Sequence, residues 1–119
     1  MKPSMRAKLD HLDTRLAELN SLLTSEEATK DMDAYRKLTR EHSDIATVVE
    51  QFGLYKQAEA DAQAAEDMRK DPEMKDFADD EAKQATVTME ALEAALQKLL
   101  LLLIVAVLVI PTTTTKTLA

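Results

Sequence analysis

From Met5 the apolar residues fall at Met5, Leu9, Leu12, Leu16, Leu19 and Leu23, with gaps of four, three, four, three and four. That spacing predicts a helix with one narrow apolar seam, the repeat used in coiled-coil packing. Ser4 is the expected N-cap, its hydroxyl accepting from an otherwise orphaned N–H, with Pro3 just outside. About twenty residues at ~1.5 Å each give a rod of roughly 30 Å. Such a rod has only one stripe to bury and needs neighbours to bury it.

A second helix is predicted to start after Thr24-Ser25, where Glu26 and Glu27 follow near the positive end of the helix dipole. Its apolar positions run Met32, Tyr35, Leu38, Ile45, Val48, Val49, Phe52 and Tyr55, then thin to Ala58, Ala62, Ala65 and Met68. Gly53 is the interior weak point, costing about 1 kcal/mol against Ala, and marks either a bend or a close helix contact. The pattern alone leaves open whether residues 31 to 70 form one helix or two. Asp71-Pro72-Glu73 is the sharpest boundary: Asp caps, Pro at the first helical position loses no needed bond, and Glu sits in the first turn. The helix it opens should bury Met74, Phe77 and Ala78, then Ala85, Met89, Leu92, Leu96, Leu99 and Leu103, again spaced four, three, four, three, four.

Three amphipathic helices with short connections predict an all-α fold, an antiparallel three-helix bundle with coiled-coil-like packing. At roughly 25 cal/mol per Å² of apolar surface, a small core yields modest stability, so help from a partner or an attached domain is expected. The tail is different. Leu99 to Ile110 is twelve consecutive apolar residues, ending at Pro111 and Thr112 to Thr115. A membrane span needs about 20 such residues, so a tail anchor is short. The β-branched stretch Ile104 to Ile110 has the composition of an aggregation-prone strand. The tail is therefore expected to be irregular or to extend the third helix.

Composition narrows the function. One glycine in 119 residues leaves no phosphate-cradling loop, and no cysteine removes disulfides, thiolate zinc sites and cysteine nucleophiles. The net charge is −7, and all 22 acidic residues but only 14 of the 15 basic ones lie in residues 1 to 98, leaving Lys116 as the tail's single charge. An acidic surface repels phosphate backbones, which argues against direct nucleic-acid reading. Met1-Lys2-Pro3-Ser4 runs into charged residues and has no secretory apolar core. His11 and His42 stand on different predicted helices with no ligand-spaced partner, and no Gly-x-Ser-x-Gly or Ser-x-x-Lys pattern offers a nucleophile, so no catalytic, cofactor or metal site is predicted. Asp76, Asp79, Asp80 and Glu81 cluster at the start of the third helix. They serve either as a docking face for a basic partner or simply as a solvated, dipole-complementing helix start.

The longer motifs point further. Met1-Lys2-Pro3-Ser4 opens a helix with Leu9, Leu12, Arg15 and Leu16, and Tyr35-Arg36-Lys37-Leu38-Thr39-Arg40-Glu41-His42 follows. Asp71-Pro72-Glu73-Met74 and Leu96-Gln97-Lys98-Leu99-Leu100-Leu101 complete the set at matching intervals. Together they resemble the start of the class I peptide chain release factors of bacteria, in the release factor 1 branch. The resemblance covers residues 1 to 101, the family's N-terminal helical domain, and leaves 102 to 119 as a divergent apolar and Thr-rich tail. It implies a cytoplasmic protein of translation termination at UAA and UAG, truncated here to a part that contacts the large-subunit stalk base and the GTPase release factor. The family's codon-reading Pro-x-Thr tripeptide and Gly-Gly-Gln loop have no counterpart in this sequence, so no hydrolytic activity is expected and no cofactor is implied. A frame-shifted reading of a family-like Pro-Asn-Asp-Asp-Asp-Lys segment would yield Pro111 to Lys116. The alternatives are a small tail-anchored membrane protein with a helical head and a generic coiled-coil adaptor.

Overall fold

The computed structural model describes the backbone of residues 1–118 and the side chains of residues 1–105. The chain is all-α, with no strand among the described residues: α1 Pro3–Leu23, α2 Glu26–Lys30, α3 Met32–Met68, a 3-10 turn Pro72–Met74, and α4 Lys75–Leu118. Three long helices are as expected from the apolar spacing, and a short fourth was not. The chain divides into two compact units, one made of residues Met1–Val49 with Gln97–Ala119 and the other of Glu50–Leu96.

In the first unit α1 lies beside the first part of α3 and the last described part of α4. Met5, Lys8 and Ser4 border the same groove as Gln97, Leu100 and Ile104. Ser43, Asp44 and Thr47 face Leu99, Leu102 and Leu103 across another groove. The α1 seam is buried as its spacing requires: Leu9 and Leu19 are 1% and 0% exposed, and Met5, Leu12, Leu16 and Leu23 are half-buried. Each fully buried leucine contributes about 1.5–3 kcal/mol relative to an exposed one. Ile45 and Val48 supply the buried side of α3.

The helix starts depart from expectation in two places. Pro3 is the first residue of α1 and Lys2 its cap, without a side-chain cap bond, so Ser4 is inside the helix and does not cap it. Proline's fixed φ suits this position, where the missing N–H has no partner to lose. Ser25 does cap, accepting from the Ala28 N–H at 3.4 Å, but the helix it opens lasts only five residues. Asp31 then takes an extended conformation, and its carboxylate accepts from the N–H groups of Asp33 and Ala34 at 3.1 and 3.2 Å. An aspartate that satisfies two orphan amides makes its own helix start, and that start opens α3. Met32, in the first turn of α3, is exposed and takes no part in the core.

The second unit is a helical hairpin. The rear of α3 and the front of α4 run antiparallel, with Leu54, Ala58 and Asp61 facing Leu92, Ala91 and Thr88. Phe52, Ala65, Ala78 and Leu96 are fully shielded, and Tyr55, Ala58 and Ala85 are buried beside them. Alanine at four of these seven positions allows the two backbones to approach closely. The helix is unbroken through Gly53, and a Cβ built there meets nothing within 4 Å, so this glycine does not mark a close contact. Asp71 caps as expected, accepting from the Glu73 N–H at 3.0 Å, but the helix it opens is first a 3-10 turn. That tighter turn rotates Met74 and Phe77 outward, and they are 37% and 53% exposed where burial was expected, whereas Ala78 is fully buried. α4 continues to Leu118, so the tail extends the helix, while the side chains of 106–119 lie outside the described residues.

Candidate functional site

The acidic start of α4 is divided by its geometry. Asp79 turns toward α3 and accepts from Nε of Arg69 at 2.7 Å, while Arg69 Nη1 donates to Glu66 at 3.0 Å. The hydrogen bond and charge of Asp79 hold the Arg69 guanidinium further in its charged form. Arg69 lies in the connection that follows α3, so the pair clamps the closed end of the hairpin. Glu81 is half-buried, whereas Asp76 and Asp80 are exposed. Four residues apart on a helix, Asp76 and Asp80 share one face, with Phe77 about a quarter turn round from Asp76 and Glu73 and Met74 in the turn before. The sequence grouped four carboxylates, but the structure pairs Asp79 with Arg69 and leaves Asp76 and Asp80 exposed, as Phe77 is.

The first unit holds a polar cluster that spacing did not reveal. Arg15 on α1 donates Nε and Nη2 to the two carboxylate oxygens of Glu41 on α3, at 2.7 and 2.8 Å, and Nη1 to Glu18 at 3.1 Å. This two-pronged geometry matches the planar guanidinium to the planar carboxylate. The Arg15 hydrogen bonds hold Glu41 below the usual carboxylate range, and Glu41 in turn holds Arg15 more firmly protonated. Five residues further along α1, Asn20 Oδ1 lies 2.7 Å from Nε2 of His42, so His42 has a polar partner on another helix. His11 is exposed. Among the described residues no three His, Cys, Asp or Glu side chains stand close enough together to hold a metal ion, and no side-chain polar atom is buried without a partner. One open groove on the second unit is lined by the Arg69–Asp79 pair together with Lys83 and Glu90. The arrangement offers surfaces for contact and no enclosed reaction centre among the described residues.

A family model described as the PCRF domain matches residues 12–103. The chain belongs to the PCRF-domain family. The match runs from Leu12 in the α1 seam to Leu103 in α4 and so takes in the interhelical Arg15–Glu41 pair and the Arg69–Asp79 clamp. Relatives named peptide chain release factor 1 are 92% identical in Polynucleobacter asymbioticus and 91% identical in Polynucleobacter necessarius, each over 100 residues. The same-named protein of Burkholderia cenocepacia is 54% identical over 100 residues. Each alignment covers 84% of this chain and 28% of the relative, so the chain spans little more than a quarter of the length of the relatives it matches. No solved structure matches it. The PCRF-domain chain is thus similar to release factor 1, and the expected tie to translation termination rests on that likeness. Among the described residues no helix is long and apolar enough to cross a membrane. The tail-anchored alternative gains no support there, and its proposed anchor reaches into side chains outside the described residues.

Proposed function

We propose that this chain is a ribosome-contacting helical module of the release factor 1 type, which works in the cytoplasm and docks through the closed end of the second-unit hairpin. The observation that carries the reading is the exposed Phe77 ring on the same first turns of α4 as the exposed Asp76 and Asp80, at a helix start held in place by the Arg69–Asp79 pair. An exposed aromatic ring beside exposed carboxylates suits a basic surface with an apolar pocket, because the ring supplies contact area and the carboxylates steer the approach. The large-subunit stalk base and the GTPase release factor are the partners that the family likeness suggests. Asp79 acts indirectly, by holding the helix start, and Glu81 lines the flank.

The sequence has a single glycine and so holds no Gly-Gly-Gln loop, which supports a binding role without peptidyl-tRNA hydrolysis by this chain on its own. Co-sedimentation with purified ribosomes tests the docking. The wild-type chain pellets with ribosomes at low salt, and Phe77→Ala combined with Asp76→Asn and Asp80→Asn weakens binding at least tenfold, roughly what losing one anchor and its rim charges removes. All three side chains are exposed, so the helical signal stays unchanged. Equal binding by the variant, or stop-codon-dependent peptide release by the chain alone, overturns the reading.

A further inference from the structure

The net charge of the chain is concentrated in the second unit. Residues 50 to 96 hold thirteen of the 22 carboxylate side chains and only five of the 15 basic ones, a balance of −8, so the remainder of the chain is +1 against the overall −7. Within this acidic hairpin one flank is apolar and uncovered. A groove between α3 and α4 is lined by Leu54, Ala58 and Asp61 from one helix and by Val87, Ala91 and Leu92 from the other. Ala58 is buried and Leu92 half-buried at its base, while Leu54 and Val87 stand 50% and 65% exposed. We propose that this groove takes a lysine- and arginine-rich amphipathic helix of a partner protein.

The shape selects a helix. Two antiparallel helices bury the stripes that face each other and leave a valley along the side, the place where a further helix packs in a bundle. Leu54, Ala58 and Asp61 follow one another at four and three residues, the spacing with which the apolar stripe of an incoming helix interlocks. Ala58 and Ala91 are small, so its backbone can come near. The charge selects the kind of helix. Among the described residues that line the groove, Asp61 is the one with a charge. The basic side chains of this unit lie elsewhere: Arg69 and Lys83 line a different groove with Asp79 and Glu90, and Nζ of Lys56 sits 4.7 Å from the centre of the buried Phe52 ring. A basic helix therefore meets no cation in the groove and is drawn to it by the surrounding carboxylates. A second copy would bring one −8 hairpin against another, and the phosphates of RNA or of an anionic lipid surface are repelled in the same way.

Fluorescence anisotropy of a labelled synthetic peptide, titrated with the full chain, tests this. The peptide is about four helical turns long, with leucines at three-and-four spacing and lysines and arginines elsewhere. It binds with one peptide per chain, and affinity falls as salt is raised. Two control peptides, one with the same composition but scrambled leucine spacing and one with glutamates in place of the basic residues, bind at least tenfold more weakly. Leu54→Lys with Val87→Lys weakens binding at least tenfold. Ala60→Lys with Thr86→Lys adds the same charge to the same unit at exposed positions outside the groove and changes affinity less than twofold. All four positions are exposed, so helical content by circular dichroism is unchanged. No binding by the wild-type chain, equal binding of the scrambled peptide, or equal loss in the two variants overturns the proposal. So does a wild-type chain that is dimeric by light scattering and becomes monomeric with the groove substitutions, since a second copy then covers the groove. No ribosome enters the measurement and Asp76, Phe77 and Asp80 are untouched, so its outcome is separate from that of co-sedimentation.

Discussion

Two neighbouring residues of α3 show how burial decides the effect of a change. Phe52 is 0% exposed and fills the space between two helices, with Nζ of Lys56 4.7 Å from the centre of its ring. Phe52→Ala removes that volume from an interior with few other large side chains and costs about 3–5 kcal/mol. Gly53, one residue on, is exposed in an unbroken helix, with open space where its Cβ would lie. Gly53→Ala therefore adds helix propensity without a clash and stabilises by about 1 kcal/mol. Urea denaturation reads both: the midpoint falls for the first and rises for the second. A midpoint that drops for Gly53→Ala would mean the position is held by a close contact after all. The glycine was visible in the sequence as a weak point, but its surroundings are a property of packing and could be read only in the folded chain.

At the scale of elements, the long helices were legible because burial selects a period, and the period survives in the residues. Leu9 and Leu19, Ile45 and Val48, Ala85 and Leu96 are all buried where three-and-four spacing put them. Local chemistry was partly legible. Asp71 caps as its Asp-Pro-Glu context implies, and Asp31, standing just before Met32, Tyr35 and Leu38, carried the same signal for the start of α3. Met74 and Phe77 were misplaced because a 3-10 turn advances the chain differently from an α-turn, shifting which side faces inward. The Arg15–Glu41 pair was hidden for another reason: 26 residues separate its members, and no local pattern links them. It sets a pH dependence. Glu41 titrates below its ordinary value near 4.5 in the folded state, so its stabilising effect is fully present above that value and fades as pH falls through the depressed one. Both partners remain about a third exposed, so solvent screens the pair and the effect is small. Glu41→Gln lowers the thermal midpoint at pH 7 by on the order of a few degrees, and the difference from wild type closes as the solution is acidified through the depressed value. A gap that stays constant with pH would show that the glutamate's charge plays no part.

At the scale of the whole molecule, the sequence and its family relation carry further than any single site. The two units differ in composition: the second carries the exposed Asp76, Phe77 and Asp80, and the first the apolar run that begins at Leu99. Neither holds a reaction centre among the described residues. The PCRF-domain match spans both units. The acidic cluster was visible in the sequence, but only the fold separates Asp79, committed to Arg69, from Asp76 and Asp80, which face solvent. The most direct test of the central claim is competition on the ribosome. Ribosomes stalled at a UAG codon with peptidyl-tRNA are mixed with a limiting amount of intact release factor 1 and increasing amounts of this chain. Progressive slowing of peptide release by the intact factor, with no release by the chain alone, is the predicted result. Release by the intact factor that proceeds at an unchanged rate under saturating chain would contradict the account.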